Sequence, residues 1–398
     1  MGAKKRKAMP PTPPAAASSS TAVISSVLGD DDLLREILVR LDFPTSLVRA
    51  AAVSRRWLRH ASDPAFLLRF RGLHPPRLLG FYVHTGGFFD ERLRFVPMPQ
   101  LPPELAAVIR RGRFDLGKGA VAVPNCRNGR LVFVTRKRFF VSSPLNPAGR
   151  AAAVPRLYEL GSGAYYLPLL PESAGDRTVV ALVQDEQKGW IHLSDARPGS
   201  WGKRRASQLI DLPKDWRMCL FGLLAYGKLY LLRGVGYILG FDLSSRSFFQ
   251  IQLPQGVEYE SAAHTDVNFE LSRAEGSGFY LIHVKGFQVI VWRHSTGVSA
   301  GDWELVDSVC LNQVFGGIAD PTSVPSHGDA VQVYAVGDNA DFAFLKIGLK
   351  IFYFQIKSRA VEKVYELQES DTNLVIQPFM MVWPPTFPTL DDGRDPVD

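Results

Sequence analysis

Residues 28 to 74, LGDDDLLREILVRLDFPTSLVRAAAVSRRWLRHASDPAFLLRFRGLH, decide how the chain begins to fold. Leu33, Leu34, Ile37, Leu38 and Leu41 recur at the spacing of one broad helical face. Asp30 to Asp32 stand at its start, placing N-cap candidates and negative charge where the helix macrodipole favours them. Asp42 and Phe43 break that helix, and Pro44, with its fixed φ, opens a second. Leu47, Val48, Ala50, Ala51 and Val53 form its apolar side. Ser54 is placed to cap a third helix, in which Arg55, Arg56 and Arg59 are expected to stay in water while Trp57 and Leu58 are buried. Pro64 to Leu73 follow as a fourth segment carrying Phe66, Leu67 and Phe70.

A bundle of roughly forty residues removes little of its surface from water. Each further Leu or Ile that finds a partner contributes about 1.5–3 kcal/mol. Such a bundle is expected either to finish its core on another polypeptide or to cap the domain that follows it.

The pattern Leu28-x4-Leu33-Leu34-x2-Ile37-Leu38-x-Arg40-Leu41-x5-Leu47-x5-Val53-Ser54-Arg55-Arg56-Trp57 resembles the F-box. That family usually begins Leu-Pro, and Gly29 stands in the place of the proline. The run from Ser62 to Arg71, with Asp63-Pro64, Phe66-Leu67 and Arg69-Phe70, looks like the continuation found in grass F-box proteins. The resemblance implies docking on a Skp-family adaptor and, through it, on a cullin. The residues it assigns to adaptor contact are Leu28, Leu33, Leu34, Ile37, Leu38, Leu41, Pro44, Leu47, Val53 and Trp57.

At 398 residues the chain has room for about two or three domains. The net charge of +7 is modest, and part of it sits in Lys4-Lys5-Arg6-Lys7. No dense basic stripe or nucleic-acid motif appears, so nucleic acid is not an expected partner. Cys126, Cys219 and Cys310 are too few and too far apart for a disulfide framework or a metal knuckle, which points to a reducing compartment. The apolar stretch from Met218 to Phe241 is interrupted by Lys228, Arg233 and glycines, so no membrane span is expected. Residues 1 to 24 are basic, then rich in Pro, Ala and Ser, a composition expected to stay disordered. The Lys4 to Lys7 cluster resembles a nuclear-import signal, making nucleus or cytoplasm the expected location.

From about Pro75 the texture changes to short β-rich runs between Gly, Pro, Asn and Asp clusters. Glu104 to Arg111 is the one short helix expected there. A repeat is legible. Asn128-Gly129-Arg130-Leu131-Val132-Phe133-Val134 precedes Phe139 to Leu145, and Tyr226-Gly227-Lys228-Leu229-Tyr230-Leu231-Leu232 precedes Ile238 to Ser244. Further units fit Thr178 to Trp201, Gly278 to Val306 and Val331 to Leu367. A period near fifty residues with about four strands per unit predicts a kelch-like propeller of about six blades, with an array of two-sheet sandwiches as the alternative. The region is similar to the propeller-like domain associated with plant F-boxes, with Phe379 to Pro385 closing it. The expected architecture is α+β multidomain: a tail at 1–24, a three-helix F-box at 25–74, a propeller-like domain at 75–390 and a tail at 391–398.

No convergent catalytic set emerges. Gly117-Lys118-Gly119 lacks the rest of a phosphate-cradling loop and is expected to be a turn. His264-Thr265-Asp266 has no partner histidine at ligand spacing, and His192, His283 and His294 fall in or beside expected strands as hydrogen-bonded structural residues. Cys126 has no identifiable base and is expected to be a half-buried thiol. Most tryptophans should pack between blades, while Trp216 and Tyr259 are candidates for a target-binding loop. No cofactor or metal is expected. The leading function is therefore a non-catalytic substrate-recognition subunit of a Skp-cullin-F-box ubiquitin ligase, whose β domain binds a target protein. The alternative is a carbohydrate-binding or enzymatic β-propeller with a helical cap.

Overall fold

The computed structural model describes residues 24, 26–86, 92–117, 119–135, 138–154, 165–171, 178–185, 188–197, 200–201, 205–206, 210–211, 222–232, 236–257, 268–295, 303–316 and 331–387. The basic run Lys4 to Lys7, Trp216, Cys219, Tyr259 and the His264-Thr265-Asp266 triplet lie outside them. Among the described residues, 24–76 together with 382–387 form one compact unit, and 77–381 form a second. No helix of the described residues is long and apolar enough to cross a membrane.

The first unit holds α1 (Asp31–Val39), α2 (Pro44–Ala51), α3 (Arg55–Ala61) and α4 (Pro64–Leu73). Their starts follow the local chemistry. The Asp30 carboxylate accepts from the backbone N–H groups of Asp32 (2.9 Å) and Leu33 (3.0 Å), filling two of the donors a helix start leaves open. Ser54 Oγ accepts from Trp57 N at 3.2 Å, and Asp63 Oδ1 from Phe66 N at 2.9 Å. Pro44 and Pro64 each occupy the first turn, where the missing N–H costs nothing. Leu34, Leu38, Val39, Leu47, Ala51, Ala61, Phe66 and Phe70 make the core. The fourth segment read from Pro64 to Leu73 thus joins the three helices of the F-box in one bundle.

The second unit is a six-bladed β-propeller, with six separate antiparallel sheets among the described residues. Blade one holds β1 (Leu78–Thr85) and β2 (Arg92–Pro97), followed by α5 (Pro103–Arg111), the helix expected from Glu104. Blade two is β3 (Ala120–Arg127), β4 (Arg130–Thr135), β5 (Phe139–Ser142) and β6 (Ala152–Ala153). Blade three is β7 (Tyr165–Leu169), β8 (Thr178–Asp185), β9 (Lys188–Arg197) and β10 (Ser200–Trp201), with β11 (Arg205–Ala206) and β12 (Ile210–Asp211) also on β9. Blade four is β13 (Gly222–Ala225), β14 (Lys228–Leu232), β15 (Tyr237–Asp242) and β16 (Ser247–Gln252). Blade five is β17 (Phe269–Arg273), β18 (Phe279–Lys285), β19 (Gln288–His294) and β20 (Trp303–Cys310), then a short helix, α6 (Leu311–Phe315), that the periodicity did not reveal. Blade six is β21 (Val331–Val336), β22 (Phe342–Ile347), β23 (Lys350–Gln355) and β24 (Val361–Glu366).

The last strand, β25 (Val375–Met380), returns to pair with β1, Tyr82 opposite Gln377, and closes the ring. The innermost strands stand side by side, β25 next to β3 and β21, β3 next to β7, and β17 next to β13 and β21. The repeated turns have a common cause. Asn128-Gly129 and Tyr226-Gly227 hold positive φ at both central residues (48° and 72°; 53° and 71°), the geometry that matches the twist of a two-residue hairpin.

Apolar layers fill the spaces between blades. Ile282, Val289 and Val291 of blade five meet Val333, Leu345 and Phe352 of blade six. Phe81 and Ile376 of blade one meet Phe344 and Ile351 of blade six. Tyr82, Phe95, Phe114 and Phe379 form an aromatic knot with the Phe95 and Phe114 rings 4.2 Å apart, and Tyr82 Oη donates to Phe114 O at 3.1 Å. Fully burying each such side chain contributes about 1.5–3 kcal/mol. Of the stretch Phe379 to Pro385, read from the sequence as closing the propeller, Phe379 and Met380 lie in β25, while the chain from Val382 belongs with the helices, on whose core Trp383 and Phe387 pack.

Candidate functional site

The ten residues expected to meet an adaptor fall into distinct environments. Leu34, Leu38 and Leu47 are fully buried and Pro44 is also buried, so these four hold the bundle together rather than face outward. Leu33 and Ile37, one turn apart on α1, stay 46% and 36% exposed, and Val53, just past α2, is 66% exposed. Leu28, Leu41 and Trp57 are half-buried. The apolar face of α1 is therefore wider than its own bundle can cover. One ridge turns inward and the adjoining ridge stands in water, an arrangement an amphipathic docking surface requires.

A polar lattice fixes where that ridge begins. Arg56 Nε donates to Asp31 Oδ1 at 2.7 Å, Nη2 donates to Gly29 O at 2.8 Å, and Nη1 donates to Leu28 O. His60, 7% exposed, lies 3.0 Å from Asp31 Oδ1 through Nε2, while its Nδ1 accepts from Arg35 Nε at 3.1 Å. Hydrogen bonds from Arg56 and then His60 hold the Asp31 carboxyl below the usual carboxylate range. The Arg69–Glu36 pair, 2.6 Å, ties α4 to α1 and lowers the Glu36 carboxyl in the same way. Arg56 was expected to stay in water with Arg55 and Arg59. It is instead half-buried, and its partners lie 25 to 28 residues away, beyond the reach of any local pattern.

The propeller carries a second polar centre, at one end of its inner strands. Arg127, the last residue of β3, donates from Nη1 and Nη2 to the two carboxylate oxygens of Asp338 (2.8 and 3.1 Å). Asp338 follows β21, so the pair joins blades two and six. Arg273, at the end of β17, lies 3.9 Å from the same carboxylate, with its guanidinium 4.8 Å from the Tyr226 ring centroid. Ser272 Oγ donates to Gly337 O and accepts from Ala340 N (2.5 and 3.1 Å). None of these residues was singled out from the sequence, because each acquires its partners only when the ring closes.

The chemistry-bearing residues considered earlier are otherwise placed. Gly117 is in a turn, its N–H bonded to Asp115 Oδ1 at 2.8 Å. Cys126 is half-buried, and burial pushes its thiol well above the ordinary range, which removes nucleophilic character. His283 and His294 are buried in β18 and β19, as expected of structural residues, yet His283 is not hydrogen-bonded. Neither ring nitrogen has a partner among the described residues, and its ring stacks on Phe269 at 4.7 Å. No cluster of metal-ligating side chains occurs among the described residues.

Comparison with known proteins returns two family models. One, described as "F-box protein AT5G49610-like, beta-propeller", matches residues 122–387, and another, "F-box-like", matches residues 31–71. A protein of Arabidopsis thaliana, At3g16210, whose name places it among the F-box proteins, is 25% identical over 238 residues. The match spans 57% of this chain and 62% of that protein. Among solved structures, a structural-genomics protein of unknown function from Bacteroides thetaiotaomicron is 12% identical, covering 77% of this chain and 83% of that one, with a TM-score of 0.37. The PQQ-bound form of an aldose sugar dehydrogenase from Streptomyces coelicolor is 11% identical, covering 65% and 84%, with a TM-score of 0.36. Likeness at that level carries nothing about ligand or activity.

Proposed function

This chain belongs to the AT5G49610-like family of F-box proteins with a β-propeller, and on that premise we propose that it is the substrate receptor of a Skp-cullin-F-box ubiquitin ligase. The observation that carries the proposal is the Leu33–Ile37 ridge with Val53, apolar and in water beside the fully buried Leu34–Leu38 ridge of the same helix. The ridge is offered to a Skp-family adaptor, which connects to the cullin. The propeller presents its loops to a target protein, following the common division between a rigid scaffold and variable loops. The chain itself does no chemistry in this scheme; ubiquitin transfer belongs to other subunits. Residues 4–7 are proposed as a nuclear-import signal, so the complex would work in the nucleus as well as the cytoplasm.

The test is a titration of a plant Skp-family protein against the full chain and the Leu33→Asp/Ile37→Asp variant. The expected result is nanomolar-to-micromolar binding by the wild type, lost by about a hundredfold or more in the variant, because a charge on each residue must be desolvated at the interface. Unchanged helical circular dichroism shows that the variant still folds. Wild-type affinity in the double variant would remove the proposal.

A further inference from the structure

The helical core contains two aromatic side chains from a distant part of the chain. Trp383 lies flat against Phe70 of α4, ring centroids 5.8 Å apart and planes 10° from parallel. Phe387 packs on the same cluster. Phe70 is fully buried, and its ring also meets Phe66 at 6.1 Å and His74 at 4.6 Å. His74 Nε2 in turn donates to Val39 O at 2.7 Å, occupying a carbonyl that the end of α1 leaves open. A continuous set of contacts thus runs from Trp383 through Phe70 and His74 to the helix that carries Leu33 and Ile37.

The position of these aromatics in the chain adds a condition. Val382 follows β25 by two residues, and β25 is the strand that closes the propeller against β1. At the exit, Met381 N donates to Arg77 O at 2.9 Å, so the chain leaves the propeller beside the point where it entered. The residues that shut the ring and those that complete the helical core are one uninterrupted stretch.

We propose that residues 382–387 are a working part of the docking module, so that the adaptor surface takes its final form only with this stretch in place. The inference rests on the docking role given above. A chain interrupted before Val382 keeps the whole F-box-like sequence yet lacks two aromatic side chains of that core. Helix α4 then loosens, and α1 loses the support that holds its outer ridge in register. The coupling is reciprocal, so adaptor binding slows hydrogen exchange at 382–387.

Hydrogen exchange and adaptor titration on the full chain test this, comparing wild type, Trp383→Ala/Phe387→Ala and Trp383→Phe. In the double variant, exchange over 31–39 and 64–73 rises by about tenfold or more and adaptor affinity falls by about tenfold. Exchange over the propeller strands 279–294 does not change, and Trp383→Phe, which keeps a ring against Phe70, recovers most of both losses. Unchanged exchange over 64–73, or full affinity despite faster exchange, overturns the inference. A wild-type chain that ignores the adaptor overturns the docking role and the affinity half of the inference. The exchange at α4 then decides by itself whether 382–387 support the helices.

Discussion

The two units solve the problem of covering apolar surface in opposite ways. In the propeller each sheet finds a neighbour on both faces, so Phe81, Phe279, Phe344, Phe352 and Phe354 are almost wholly buried. Among its described residues the large apolar side chains left in water are Leu305, Val306 and Leu349, near outer strands or turns. The helical unit is small, and Ile24, Leu33, Ile37, Val53, Leu68 and Leu73 remain exposed beside a core of a few side chains. A ring grows its core with every blade. A short bundle cannot, and it finishes its surface against something else, part of which is the stretch 382–387.

That contrast can be broken by experiment, beginning with the largest effect. Leu38→Asp places a charge where no exposure exists, and the expected cost of about 4 kcal/mol or more exceeds what a small bundle holds. The helical signal and protease resistance of residues 31–73 should vanish while the propeller transition survives. Leu33→Asp, five residues earlier on the exposed ridge, should change stability by less than about 0.5 kcal/mol. Equal effects from the two would mean that inner and outer ridges are not distinct.

Phe344→Ala in blade six should cost the propeller about 3–5 kcal/mol, since its ring meets Phe81 at 4.8 Å and Tyr353 at 5.7 Å. A shift of the denaturation midpoint below about 1 kcal/mol would show that the ring does not depend on its inter-blade aromatic layers.

Blade five makes a prediction about pH. Burial pushes the His283 imidazole from 6.5 down to about 4. Between those values the unfolded chain holds a proton that the folded chain does not, so stability falls as pH drops from 6.5 to 4. Burial pushes the Glu270 carboxyl the other way, from 4.5 up to about 8, against a weaker hydrogen bond from Leu271 N. There the folded chain holds the extra proton, so stability falls as pH rises from 4.5 to 8. The two slopes oppose each other between 4.5 and 6.5. Propeller stability should therefore be nearly flat in that window and decline on either side, by less than roughly 1 kcal/mol down to pH 4 and by up to roughly 2 kcal/mol up to pH 8. His283→Phe should leave stability falling as pH rises all the way from 4.5 to 8, and Glu270→Gln should leave it falling as pH drops all the way from 6.5 to 4; an unchanged profile in both would remove the assignment.

The smallest effect belongs to a helix end. Ser54→Ala removes the bond to Trp57 N and should lower the stability of the helical unit by about 1 kcal/mol, read as its thermal midpoint. No change there would show that α3 is held by Arg56 and the core rather than by its cap.

Much of this organisation was legible in the chain. Asp30, Ser54, Pro44 and Pro64 act within three residues of themselves, so the four helices could be placed from local chemistry. The paired Asn128-Gly129 and Tyr226-Gly227 turns, two blades apart, disclosed the repeat for the same reason. The candidate surface was only half legible. Leu33 and Leu34, or Ile37 and Leu38, are chemically alike neighbours in sequence, and periodicity marks both as apolar without saying which one faces in. The Arg56 clamp, the Arg127–Asp338 bridge and the Phe70–Trp383 stack left no trace, because their members are ordinary residues until the chain brings them together.

By itself, the sequence determined that helices precede a repeated β array and where those helices start, since caps, prolines and glycine turns act through the backbone of adjacent residues. Only the tertiary structure decided that β25 shuts the ring, that Trp383 and Phe387 leave it for the helical core, and which leucines stay in water. Those outcomes depend on contacts between residues far apart in the chain, and packing rather than local preference chooses them.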